Sequence, residues 1–166
     1  FGEAGESEEA FATRCADNLE RLIVAEGPET IAAFFAEPVQ GAGGVVIPAK
    51  TYWEKITAVL KKYDVLLVAD EVICGFGRTG NWWGTQTFGL QPDIITMAKQ
   101  LSAGQLSIAA ILINQRVFEA LRDNSNKHGG FAHGLTYSGH PVASAVALET
   151  LKIYEDLRIV DHVRSI

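Results

Sequence analysis

Little in the chain ties it to a membrane, a metal or an oxidising compartment. Only two of its 166 residues are cysteine, Cys15 and Cys74. That is too few for a disulfide framework, so a reducing, cytoplasmic location is the default. No apolar run approaches the roughly 18 residues that would read as a membrane span, and no signal-peptide pattern is read at the start, so no membrane partner is expected. Positive charge is scarce: 14 Lys and Arg stand against 20 Asp and Glu, a net charge of −6. The basic footprint of a nucleic-acid binder is therefore missing. The histidines, His128, His133, His140 and His162, show neither an H-E-x-x-H spacing nor a paired cysteine, so no metal site is expected. Repeats, low-complexity tracts and linkers are absent as well, which leaves one domain as the simplest organisation.

What is present is an apolar α/β pattern. Hydrophobic residues make up 48% of the chain, with 16 glycines, a composition that suits a globular domain. A chain of 166 residues can bury roughly 70% of its unfolded surface. Ser7 followed by Glu8 and Glu9 predicts a helix start. Phe11, Cys15, Leu19 and Leu22 supply an apolar stripe, and Gly27-Pro28 end the helix. Ile31 to Ala36 reads as a strand. Thr51 is placed to cap a second helix with Trp53, Ile56, Val59, Leu60 and Tyr63 on one face. Strands are predicted again at Val65–Ala69, Pro92–Ala98 and Ile108–Ile113, and helices at Val117–Leu121 and Pro141–Tyr154. Alternation of this kind favours a mainly parallel sheet with helices on both faces.

The chemistry sits at two strand ends. The run Val65–Ala69 ends in Asp70-Glu71-Val72, and the run Pro92–Ala98 ends in Lys99. In open α/β sheets ligands bind beyond the carboxyl ends of the strands, so Asp70 and Lys99 should face one crevice. An amine able to form a Schiff base, opposite an acid able to hold a pyridinium protonated, is the pairing that pyridoxal phosphate chemistry requires. The same acidic strand end resembles the magnesium-holding strand of P-loop NTPases. That reading needs a G-x-x-x-x-G-K-S/T loop, which the chain lacks. Gly41-Ala42-Gly43-Gly44 lacks the G-x-G-x-x-G spacing of a dinucleotide loop and reads as a turn. Trp82-Trp83 is expected in a surface loop or subunit contact, and Arg78 is available to pair with an acid.

Four motifs occur in order along the chain: Glu37-Pro38-Val39-Gln40-Gly41; Asp70-Glu71-Val72 with Gly75-Phe76-Gly77-Arg78-Thr79-Gly80; Lys99; and Thr136-Tyr137-Ser138-Gly139-His140-Pro141. With the opening Gly5–Phe11 they resemble the class III (omega) aminotransferases over nearly the whole chain. That family uses pyridoxal phosphate on a fold-type-I scaffold. The resemblance implies that Lys99 forms the Schiff base with pyridoxal 5'-phosphate and that Asp70 holds the pyridine nitrogen. Val72 would pack on one ring face, and Thr136 would reach the phosphate bound to the neighbouring subunit of a homodimer. Glu37 and Ala42 would lie near the substrate, and in some relatives the Glu37 carboxylate pairs with a substrate-gating arginine. One departure is visible. The family follows its lysine with Ser-Ala-Gly-Tyr-x-Pro, whereas Ser102-Ala103-Gly104-Gln105-Leu106-Ser107 stands here, so the loop behind Lys99 is expected to take a different path.

The implied reaction is transamination between a small amine or amino-acid donor and a keto-acid acceptor. An aminomutase or decarboxylase on the same scaffold, or a segment that only packs or binds, are the alternatives. The chain starts at Phe1 and ends at Ile166 within a helical pattern. It therefore reads as part of a large cofactor-binding domain, with amino- and carboxy-terminal parts of the enzyme absent, and is expected to be a poor catalyst alone.

Overall fold

In the computed structural model, which describes residues 2–166, Ser7 begins the first helix as its sequence predicts. Its hydroxyl accepts the Ala10 amide at 3.2 Å, and Glu8 and Glu9 occupy the first turn of α1 (Glu8–Glu26). The expected stripe packs inward only in part: Leu19 lies against the core and Phe11 and Cys15 are half-buried, but the fully buried positions are others. Ala12, Ala16 and Ile23 are buried, whereas Leu22 is 56% exposed. The two alanines let α1 lie close on α2 (Tyr52–Lys62), so small residues set a seam that a search for large apolar ones misses.

On α2 the expected face holds: Trp53, Ile56, Val59 and Leu60 are buried. Thr51 does not cap this helix. Its hydroxyl instead donates to Glu9 Oε2 at 2.6 Å, and Lys55 Nζ lies 2.7 Å from Glu9 Oε1. At the other end Glu20 accepts from Tyr63 at 2.7 Å. The two helices are thus joined by polar pins at both ends and by an apolar seam between them.

The sheet has the order β1 (Ala33–Ala36), β2 (Leu66–Asp70), β3 (Ile94–Met97), β4 (Ala110–Ile113). The first three strands run parallel and β4 antiparallel to β3, so the sheet is mainly parallel with helices packed against it. The strands are shorter than their apolar runs. Ile31 closes a 3-10 turn ahead of β1, and Ile108 packs on the core before β4 begins. Asp93 pins the register. Its Oδ2 accepts the Leu67 amide at 2.9 Å and its Oδ1 accepts from Asn114 Nδ2 at 2.7 Å. One carboxylate thus joins the starts of β2 and β3 to the end of β4. Asn114 in turn caps α4 (Gln115–His128), a helix far longer than the predicted Val117–Leu121.

A first apolar cluster lies under α1 and α2, with Trp53, Ile56, Leu60 and Leu67 at its centre. A second joins Phe76, Met97 and Leu101 to Ala147 of α5 (Pro141–Asp156). Trp82 and Trp83, expected in a surface loop or subunit contact, are half-buried against this second cluster within the chain. The aromatic rings of Phe76 and Tyr154 supply the partners that draw them in. At the sheet edges Phe35 and Ile111 are 71% and 62% exposed. Among the described residues no helix is long and apolar enough to cross a membrane.

A titration follows from the start of α1. Glu6 accepts from Arg14 Nε and Nη2, both at 2.7 Å, and from the Glu3 amide at 2.9 Å. The Arg14 hydrogen bonds come first in holding the Glu6 carboxyl down to about 2. A depressed carboxylate stabilises the fold fully above its ordinary range and loses that contribution as pH falls through its folded value. Carboxyl NMR titration should therefore place the Glu6 midpoint near 2, and Arg14→Gln should return it toward the ordinary range. A Glu6 midpoint that Arg14→Gln leaves unmoved would show the pair to be broken in solution.

Candidate active site

Asp70 ends β2 and Lys99 follows the end of β3, and the two strands are adjacent and parallel. Asp70 registers opposite Thr96, so both functional groups emerge at the same sheet edge, at the carboxyl ends of the strands. Asp70 is half-buried. Its Oδ1 accepts the Val72 amide at 3.0 Å, which fixes the carboxylate and makes Val72 part of the same turn. Among the described residues Asp70 Oδ2 takes no hydrogen bond, which leaves it free to accept one.

Lys99 is exposed at the start of a 3-10 turn, Lys99–Leu101. Its φ of +41° lies in the left-handed region, a conformation that costs a side-chain-bearing residue roughly 1–2 kcal/mol. The lysine lines a cavity of about 740 Å³ between the loop 102–109 and the segment Leu135–Ser144. Thr136 stands on the exposed turn at this cavity's rim, between the lining residues Leu135 and Tyr137. His140 caps α5, its Nδ1 accepting the Ala143 amide at 3.4 Å, with Pro141 in the first turn.

The other expected site residues lie elsewhere. Glu37 is half-buried and its Oε2 accepts the Gly41 amide at 2.9 Å, so it closes its own loop. It lines a separate cavity of about 640 Å³ with Phe11, Tyr52 and Trp53. Ala42 is exposed on that loop. Gly41 packs so closely on Ile73 that a Cβ would lie 2.5 Å from the Ile73 Cδ1, so a larger residue here would require the Ile73 side chain to move. Arg78 is exposed. The structure thus brings Lys99 together with the 135–140 turn and sets Asp70 on the neighbouring strand end, with Glu37 and Ala42 on a different wall.

Glu71 is the residue that sequence reasoning passed over. It is fully buried beside Asp70, and its two oxygens accept the amides of Gly84 at 2.8 Å and Thr85 at 2.7 Å. Gly84 is needed for this approach, because a Cβ there would stand 2.7 Å from Cys74 Cβ. Glu71 therefore ties the turn after β2 to the start of α3 (Gly84–Thr87), behind the Asp70 carboxylate. Glu71→Ala should lower stability by about 3–5 kcal/mol, since two buried amides lose a charged acceptor. Urea unfolding checks this, and a loss below ~1 kcal/mol would show that water replaces the carboxylate.

Comparison with known proteins identifies the family. The family model described as aminotransferase class-III matches residues 2–166. The chain is 57% identical to the chloroplastic gamma aminobutyrate transaminase 3 of Solanum lycopersicum, covering 100% of itself and 32% of that protein. It is likewise 57% identical to the mitochondrial gamma-aminobutyrate transaminase 1 of Oryza sativa subsp. indica, covering 98% of itself and 31% of that relative. A crystal structure of the omega transaminase from Pseudomonas jessenii in complex with PMP superposes with a TM-score of 0.95 at 62% identity, over 98% of this chain and 36% of that one. The chain thus spans about a third of the length of the curated relatives it matches. These relatives also correct the expected cytoplasmic location, since they carry chloroplastic and mitochondrial names. Unpaired cysteines separate reducing from oxidising surroundings but do not rank one reducing compartment above another.

Proposed function

The chain belongs to the class-III aminotransferases, and from that premise we propose that the protein moves an amino group from an amine or amino-acid donor to a keto-acid acceptor. The carrying observation is the amine of Lys99 and the carboxylate of Asp70 on adjacent parallel strand ends. Members of the family use pyridoxal 5'-phosphate, and the donor set here suits that group. Lys99 offers an exposed primary amine beside a cavity of about 740 Å³, and Asp70 offers a half-buried carboxylate with one oxygen already anchored.

In this reading Lys99 Nζ would hold the cofactor covalently, and the Asp70 carboxylate would accept a hydrogen bond from its protonated ring nitrogen. Val72, whose amide bonds the Asp70 carboxylate, would pack on one face of the ring. Bound in this way, the cofactor supplies a sink for the electron pair left when the donor carbon loses its proton. The chain's own residues do the rest. Lys99 Nζ, once free, would take the proton from the donor carbon as a base and deliver it as an acid to the cofactor carbon that receives the amino group. The Asp70 carboxylate keeps the ring nitrogen charged, each pKa unit of that preference being worth ~1.4 kcal/mol. Residues 1–166 belong, in this reading, to the large cofactor-binding domain. Thr136, exposed at the cavity rim, meets the phosphate of a second subunit in a homodimer.

The relatives' names direct the first donor to test toward gamma-aminobutyrate. Purified protein carrying this chain, loaded with pyridoxal 5'-phosphate, is assayed with gamma-aminobutyrate or L-alanine against a keto-acid acceptor, with amino product measured by mass. Appearance of one amino product per donor consumed supports transamination. Loss of carbon dioxide, or a rearranged donor with no acceptor consumed, would overturn it.

A further inference from the structure

The turn that carries Lys99 needs holding from outside. Lys99, Ala103 and Gly104 all have positive φ, at +41°, +49° and +76°. Two of these are side-chain-bearing residues in a conformation they rarely adopt. Inside the segment the Lys99 carbonyl accepts the amides of Ser102 at 3.2 Å and Gly104 at 3.3 Å, and the Ser102 hydroxyl donates to the Leu106 carbonyl at 2.5 Å. The tie from elsewhere in the fold is the Tyr154 hydroxyl, which donates to the Gln100 carbonyl at 2.8 Å across 54 residues of sequence.

Tyr154 is well placed for this. Its ring packs near those of Phe76, at 6.4 Å, and Trp82, at 6.3 Å, while Leu101 and Met97 fill the same cluster. Burial pushes the phenol up, so it stays a donor. Tyr154 also lies in the last turn of α5, whose amino end, with the cap His140 and with Ala143 and Ser144, lines the same cavity as Lys99. One rigid helix therefore borders the cavity at its amino end and grips the lysine turn near its carboxyl end.

We propose that Tyr154 is a positioning residue for Lys99: its bond to the Gln100 carbonyl locks the strained turn onto α5 and so fixes the amine against the 135–144 wall. The inference rests on the proposed role of Lys99 in holding pyridoxal phosphate. Tyr154→Phe keeps the ring and removes only the hydroxyl, so the fold should be retained. Two measurements compare this variant with the wild-type protein. In the cofactor-free protein, amide exchange at Ser102 and Gly104 should speed about tenfold, while exchange along β2 stays unchanged. Capture of added pyridoxal phosphate at Lys99, followed by absorbance and by the borohydride-fixed mass, should slow about tenfold.

Unchanged exchange at Ser102 and Gly104 overturns the clamp. Faster exchange with an unchanged capture rate leaves Tyr154 a packing residue and overturns the positioning role, as does exchange that rises equally along β2. Absence of capture by the wild-type protein would overturn the reading of Lys99, and this inference with it. That failure is distinguishable because it shows before any variant is compared.

Discussion

In the full-length protein that carries this chain, Lys99→Ala should abolish the proposed transamination, a loss on the order of 10⁵-fold or more in kcat. The argument is geometric as well as chemical. A covalent partner and a proton carrier are both assigned to one nitrogen, Lys99 Nζ, so a single truncation removes two roles. The remaining lysines are poorly placed to substitute. Lys127 and Lys152 lie on helices, and Lys50, Lys55, Lys61 and Lys62 belong to α2 and its approach. Folding should be untouched or slightly improved, because an exposed side chain is shortened and the left-handed backbone strain is unchanged. The check is steady-state turnover with gamma-aminobutyrate and a keto acid, alongside urea unfolding. Turnover within tenfold of wild type, without an added amine, would sink the assignment of Lys99.

Asp70→Asn should follow, with a fall of about 10²–10³-fold in kcat, the range seen when one preorganised electrostatic group is lost from an active site. Asparagine has nearly the same size, and its amide oxygen can still accept the Val72 amide that the carboxylate accepts at 3.0 Å. The turn between β2 and Glu71 is therefore preserved, and the difference reports charge. A neutral amide oxygen can still accept from a protonated ring nitrogen but no longer favours its charge. Capture of pyridoxal phosphate at Lys99 should continue, while single-turnover proton removal from the donor carbon slows. An unchanged single-turnover rate would remove Asp70 from its role. Loss of capture together with lowered stability would assign it to the architecture instead.

The two variants separate the strand ends from what supports them. Glu71, adjacent in sequence to Asp70, faces the interior and spends both oxygens on Gly84 and Thr85. Its expected effect is on stability, whereas that of Asp70 is on rate. Burial separates the neighbouring carboxylates: Glu71 is enclosed with both oxygens bonded, whereas Asp70 is half-buried and is the one proposed to meet a ligand.

Some of this was legible in the chain alone. The helix faces of α2, the cap at Ser7, the apolar runs of β2 and β3, and the motifs around Asp70, Lys99 and Thr136 all rest on residues close together in sequence. Local periodicity and contiguous motifs report such features directly. In α1 size is a poor proxy for burial: Leu19 packs on the core but Leu22 does not, and the close seam selects the alanines Ala12 and Ala16. Thr51 was misread as a cap because a hydroxyl at a helix start can equally bond a distant carboxylate, and Glu9 is near only in the folded chain. The location was misread because cysteine usage carries information on redox state and none on address.

By itself, then, the sequence determined the class of fold, the family and the two strand ends that bear an amine and an acid. Each is written in runs of a few residues. Only the tertiary structure decided what holds those ends in place. Glu71 meets Gly84 across 13 residues, Asp93 meets Leu67 across 26, and Tyr154 meets Gln100 across 54. No periodicity reports contacts at such separations, because a side chain's partner there is set by strand register and helix packing. The motifs that carry the proposed catalytic groups are local in sequence, whereas the geometry that positions them is a property of the whole fold.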